Sequence, residues 1–145
     1  MSLELHVLFS RPLLPTVQLW QESIRANGFQ MELHSALDPA GHSGFVPCVL
    51  QGKNTGFEYY LEDANDIKEA YPELSQDTGR YDCVASCRWG ADFDECAVAI
   101  MAATALTTVV HGLMYDPQGN ARFESADALS YARTALDQIT KFQGR

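Results

Sequence analysis

The sequence predicts a single α+β domain in which a mostly antiparallel sheet is covered by helices on one face. Three observations carry this. Short runs of apolar residues alternate with polar ones at a period of two, as half-buried strands do. These runs are joined mostly by short, Gly- or Pro-punctuated segments, while apolar residues spaced by three and four mark only a few helices. The length, 145 residues, is that of one domain able to bury roughly two-thirds of its unfolded surface.

Leu3, Leu5, Val7 and Phe9 alternate with Glu4 and His6 in a first strand. Pro15 suits the first turn of a helix reaching about Asn27, with Val17, Trp20 and Ile24 on one stripe and Gly28 as its stop. Phe29, Met31 and Leu33 form a second strand. After a loop over 38–44, Phe45 to Leu50 and Phe57 to Glu62 read as a hairpin whose loop is Gly52-Lys53-Asn54-Thr55-Gly56. Pro47 cannot donate to a ladder, which places its strand at an edge or a bulge. Asp63 is positioned to cap a short helix carrying Ile67, Ala70, Tyr71 and Leu74, and 75–79 is loop.

Tyr81 to Trp89 follows as a strand with Tyr81, Cys83, Ala85 and Cys87 inward. Asp92 and Glu95 have capping-box spacing at the start of a long alanine-rich helix that runs to about His111, with Gly112 at the stop. Leu113 to Tyr115 is a brief strand, Asp116-Pro117-Gln118-Gly119 a turn, and Ser125 the cap of a last helix. The order is β-α-β-β-β-α-β-α-β-α, fitting a ferredoxin-like core with an inserted hairpin. The competing arrangement is a split sheet with helices on both faces.

Charge is concentrated rather than spread. Eleven carboxylates lie between Glu58 and Glu95 against Lys68, Arg80 and Arg88, so this stretch holds eight of the nine net negative charges. Such a field steers partners without dictating fold. A chain of this sign has no reason to bind nucleic acid through its phosphates, whereas it suits a basic protein partner. The apolar run Cys96 to Val110 is too short to span a bilayer, and the first residues lack a signal-peptide pattern, so a cytoplasmic protein with no membrane association is expected.

The chemistry-bearing motifs are sparse. Gly41-His42-Ser43-Gly44 lacks the spacing of a nucleophile elbow, and no phosphate-cradling glycine motif exists, so no cofactor is expected. Asp92, Asp94 and Glu95 are oxygen ligands, but acids in a first helical turn are explained by the macrodipole and the rest of a calcium loop is missing, so no metal is expected. Cys48, Cys83, Cys87 and Cys96 sit among apolar neighbours as reduced structural thiols. Cys83 and Cys87, about 13 Å apart along a strand, cannot bridge. His111 has no partner acid at a readable spacing, and no catalytic residue is assigned.

The stretch Asp92-Phe93-Asp94-Glu95, the alanine-rich helix, Gly112-Leu113-Met114-Tyr115-Asp116-Pro117-Gln118 and Ser125-Ala126-Asp127-Ala128-Leu129 resembles a pattern in small bacterial α+β proteins, some similar to immunity proteins of toxin systems. The resemblance covers the C-terminal third, and offers no catalytic residue to carry over. The expectation is therefore a non-enzymatic, immunity-type binding protein that offers an acidic surface to a basic partner such as a toxin. Its contacts are Glu58, Tyr60, Glu62, Asp63, Asp66, Glu69 and Trp89. The alternative is a small-molecule-binding protein or minor enzyme with a pocket near Tyr59, Arg88, Trp89 and His111. A homodimer through the Pro47 strand or the alanine-rich helix is a third option.

Overall fold

The computed structural model describes residues 3–143. Its strands are β1 (Leu3–Phe9), β2 (Met31–Leu33), β3 (Gly44–Leu50), β4 (Lys53–Asp63), β5 (Cys83–Trp89), β6 (Leu113–Asp116) and β7 (Ala121–Phe123). Its helices are α1 (Val17–Ala26), α2 (Ala64–Ala70), the single turn α3 (Asp77–Arg80), α4 (Phe93–Val110) and α5 (Ser125–Phe142). All seven strands form one sheet in the order β2-β3-β4-β5-β1-β6-β7, with every pairing antiparallel. The expected ferredoxin-like core with an inserted hairpin thus meets a wider, continuous sheet. Within it β5 lies between β4 and β1, and β1 lies between β5 and β6.

The period-two alternation determines the two faces. Leu5, Val7, Phe9, Val46, Cys48, Phe57, Tyr59, Cys83, Ala85 and Cys87 point to an inner face and pack with α1, α4 and α5 in the main core. α4 lies at its centre. Eighteen residues long and apolar enough by composition to cross a membrane, it is mostly buried by the rest of the chain. It begins upstream of the apolar run visible in the sequence because Asp92 accepts from the N–H groups of Asp94 and Glu95. Its alanines let α1 approach closely enough for direct side-chain to backbone bonds. Trp20 Nε1 donates to the Ala102 carbonyl (2.9 Å) and Ser23 Oγ to the Ala105 carbonyl (2.8 Å). The alanine-rich helix is therefore mostly spent inside the fold.

Helices cover both faces, unequally, which corrects the one-face expectation. On the outer face α2, a 3-10 turn over Pro72–Leu74 and α3 fold across β1, β5 and β6. There Ile67, Leu74 and Tyr81 meet Leu8, Val84, Leu113 and Tyr115 in a smaller cluster. The outer face of β3 and the adjoining part of β4 has no such cover: Phe45, Pro47 and Val49 are exposed.

Four local departures from the sequence reading have physical causes. The β3–β4 connection is the two-residue turn Gln51-Gly52, both with positive φ (49° and 81°), and Leu50 pairs with Lys53. This positive-φ pair matches the right-handed strand twist, so Lys53–Gly56 belongs to β4 rather than to a five-residue loop. Pro47 is paired to β4, with β2 added outside it. α4 ends on His111 in the left-handed region (φ 50°), and Gly112 follows where a Cβ would lie 2.4 Å from the Leu8 carbonyl. Finally, Ser125 is the first residue of α5, not its cap.

Candidate acidic interface

β4 delivers Glu58, Tyr60 and Glu62 to the outer face, because their neighbours Phe57, Tyr59 and Leu61 pack inward. The chain then turns directly into α2, where Asp63 caps by accepting from the Asn65 N–H (2.8 Å). α2 buries Ala64 and Ile67, which leaves Asp66 and Glu69 on its solvent side. Tyr60 lies under the Arg88 guanidinium (5.2 Å from the ring centre) and donates to Glu58 Oε1 (2.6 Å). That hydrogen bond, foremost among the causes, raises the Tyr60 phenol above its ordinary pKa.

Much of the acidic stretch is already engaged. Asp94 pairs with Lys53 (3.1 Å), Asp77 with Arg122 (3.2 Å), and Asp82 accepts from the Arg11 N–H (2.8 Å). Glu73 accepts from Tyr115 Oη (2.7 Å), the main reason its carboxyl is held below its ordinary value. Asp92 and Asp63 are caps, and Glu95 reaches back to the Gly90 N–H (3.4 Å). Glu62, Asp66 and Glu69, by contrast, make no hydrogen bond or ion pair among the described residues. With Glu58 they form an acidic ridge over the β4–α2 junction.

Trp89 does not belong to this ridge. It is 5% exposed on the inner face, continuing the alternation of Cys83, Ala85 and Cys87. The pocket expected around Tyr59, Arg88, Trp89 and His111 does not form either. Tyr59 is sealed in the main core with its hydroxyl on the Pro39 carbonyl (2.6 Å), Arg88 lies on the opposite face, and His111 caps α4 at the surface. The four side chains never converge. All four cysteines are free. Burial pushes the Cys48 and Cys87 thiols up to about 12 and Cys96 to about 11, which makes them poor nucleophiles.

One polar constellation was not legible in the sequence. On the outer face, beneath the α2–α3 cover, His6 Nδ1 lies 2.8 Å from Ser86 Oγ and His6 Nε2 lies 3.0 Å from Glu4 Oε1. Arg88 Nε is 3.0 Å from Glu4 Oε2, and Tyr71 Oη donates to Glu4 Oε1. His6 holds the Glu4 carboxyl down to about 2, against burial and with help from Tyr71 and Arg88. The side-chain types are those of a nucleophile relay, yet His6 and Ser86 are 3% and 2% exposed. Ser86 also sits mid-strand between β1 and β4, where backbone donors serve the ladder and none is free to hold an oxyanion. The cluster fastens the outer cover to the sheet. Its only sequence signal was the polar phase of β1, since Ser86 lies 80 residues away.

Among the described residues no group of His, Cys, Asp and Glu side chains is arranged to hold a metal ion. No family model matches the chain, and neither a curated protein nor a solved structure is significantly similar to it.

Proposed function

We propose that this chain is a non-enzymatic binding protein of the immunity type, which uses the acidic ridge of Glu58, Glu62, Asp63, Asp66 and Glu69 to engage a basic protein partner. The observation that carries the reading is the unequal use of the carboxylates. Those elsewhere in the stretch cap helices, pair with cations or accept hydrogen bonds, whereas Glu62, Asp66 and Glu69 serve nothing inside the fold. Gathering unpaired like charges destabilises a protein through repulsion, so their retention in one place favours a use outside the chain. Acidic side chains substitute for phosphates in an active site that binds nucleic acid, and Tyr60, beneath the Arg88 guanidinium, supplies an aromatic contact beside them.

The test is capture of the adjacent reading frame's product by the tagged chain, at low salt and at about 0.5 M salt. Two variants remove the same number of charges. One is E58Q/E62Q/D66N/E69Q, and the other, E22Q/E124Q/D127N/D137N, lies off the ridge. Capture should be lost at high salt and in the ridge variant while the second variant retains it. Equal loss in both variants shows that only bulk charge matters, and salt-insensitive capture removes electrostatic steering. Either result overturns the reading.

A further inference from the structure

We infer that the uncovered part of the outer sheet face, along β3, is the apolar half of the same interface and docks a hydrophobic anchor carried on a basic segment of the partner. The inference rests on the acidic-ridge reading and adds to it where the partner's apolar side chain goes.

The evidence begins with an anomaly of patterning. A sheet face open to water normally carries polar residues at its outward positions. β3 instead presents Phe45, Pro47 and Val49 at three successive outward positions, with Val46, Cys48 and Leu50 packed inward. Phe45 is 52% exposed and Val49 37%. Opposite Pro47 stands Gly56, and a Cβ there would lie 2.4 Å from the Phe45 ring, so the phenyl lies across the glycine and forms a flat apolar floor. A groove of about 560 Å³ runs beside it, lined by Glu32, His34, Phe45, Pro47, Val49 and Asn54 among others.

The cross-strand register joins this strip to the ridge. Phe45 is directly opposite Glu58, Glu58 is opposite Arg88, and Val49 is opposite Glu32 on β2. Carboxylates therefore flank the apolar strip on both neighbouring strands: Glu58, which accepts from Tyr60 and leads into the unpaired ridge, and Glu32, which stands 3.9 Å from Arg25. That rim selects the occupant. A second copy of this chain, itself carrying nine net negative charges, would set acidic rim against acidic rim, and like charges facing one another in an interface are strongly unfavourable. A segment with an aromatic or aliphatic anchor between lysines or arginines satisfies both the strip and its borders.

The test is an NMR titration with two amidated, acetylated peptides of equal charge, Lys-Trp-Lys-Trp-Lys and Lys-Gly-Lys-Gly-Lys. They are titrated into wild type, F45S/V49T and E58Q/E62Q/D66N/E69Q, with thermal midpoints confirming that each variant is folded. The tryptophan peptide should bind wild type about tenfold more tightly than the glycine peptide, about 1.4 kcal/mol, and should shift resonances along β3. F45S/V49T should erase that advantage while leaving the glycine peptide unaffected. If the tryptophan peptide has no advantage, or keeps it in F45S/V49T, the docking inference is overturned while the acidic ridge stands. It is also overturned if sedimentation shows wild type to be a dimer that F45S/V49T dissolves. If neither peptide distinguishes wild type from the ridge variant, the ridge reading itself has failed.

Discussion

The inner and outer faces of this sheet are built from the same strands, yet they obey different rules. On the inner face most of the residues that β1, β3, β4 and β5 contribute are apolar and packed against α1, α4 and α5. On the outer face the same strands change character from one side to the other. Leu8 and Val84 are buried with Leu113 of β6 under α2 and α3, Glu4, His6, Ser86 and Arg88 form a polar network, and Phe45, Pro47 and Val49 are left bare. A face that only had to be stable would be finished like the inner one. The unfinished part of the outer face is bordered by Glu58, which leads into the ridge of unpaired carboxylates, and the proposed interface is drawn there rather than over the core.

The largest expected effect belongs to the inner face. Trp20→Ala removes a fully buried indole, its hydrogen bond to Ala102 and its ring contact with Tyr59 (5.6 Å between centres). A loss of about 4 kcal/mol in the denaturant-derived stability is expected. If the loss is under about 1 kcal/mol, the inner face is not the dominant core.

The polar part of the outer face should contribute less, and in a pH-dependent way. The Glu4 carboxyl lies near about 2 in the folded protein, below its ordinary value of 4.5. Its contribution to stability is therefore complete above that ordinary value and is lost as pH falls toward about 2. Because Glu4 is partly solvated, Glu4→Gln should lower stability by about 1–2 kcal/mol at neutral pH. The gap between wild type and variant, read as urea midpoints, should close between pH 4.5 and pH 2. A gap that is constant with pH contradicts the role given to His6 and Arg88.

The smallest effect concerns the hairpin that carries the bare strip. Gln51 adopts φ of 49°, a conformation asparagine tolerates better, so Gln51→Asn should raise the thermal midpoint slightly, by about 0.5 kcal/mol of stability. A decrease there is evidence against the two-residue turn.

These contrasts also explain how much could be read in advance. Alternation in Leu3–Phe9 and the three-and-four spacing of Val17, Trp20 and Ile24 are local, strong and unambiguous, and so the α+β class and most elements were legible. The β3–β4 turn was not, because Gln51 is an unusual residue for positive φ and Gly56 suggested a loop. Gly56 is in fact a strand residue overlaid by Phe45. β7 is only three residues long and has Arg122 at its middle, too short for periodicity to register. Trp89 stands beside charge in the sequence, yet the phase of its own strand turns it inward. The His6–Ser86 contact depends on long-range pairing that no local pattern encodes. For the ridge, sequence supplied the carboxylates but not which of them were already engaged.

The most direct test of a division between a structural inner face and a binding outer face is hydrogen exchange on the complex with the captured partner. New protection should fall on residues 44–49 and 58–69 and leave the outer surfaces of α1 and α5 unchanged. Protection concentrated on α1 or α5, with β3, β4 and α2 exchanging as in the free chain, contradicts it.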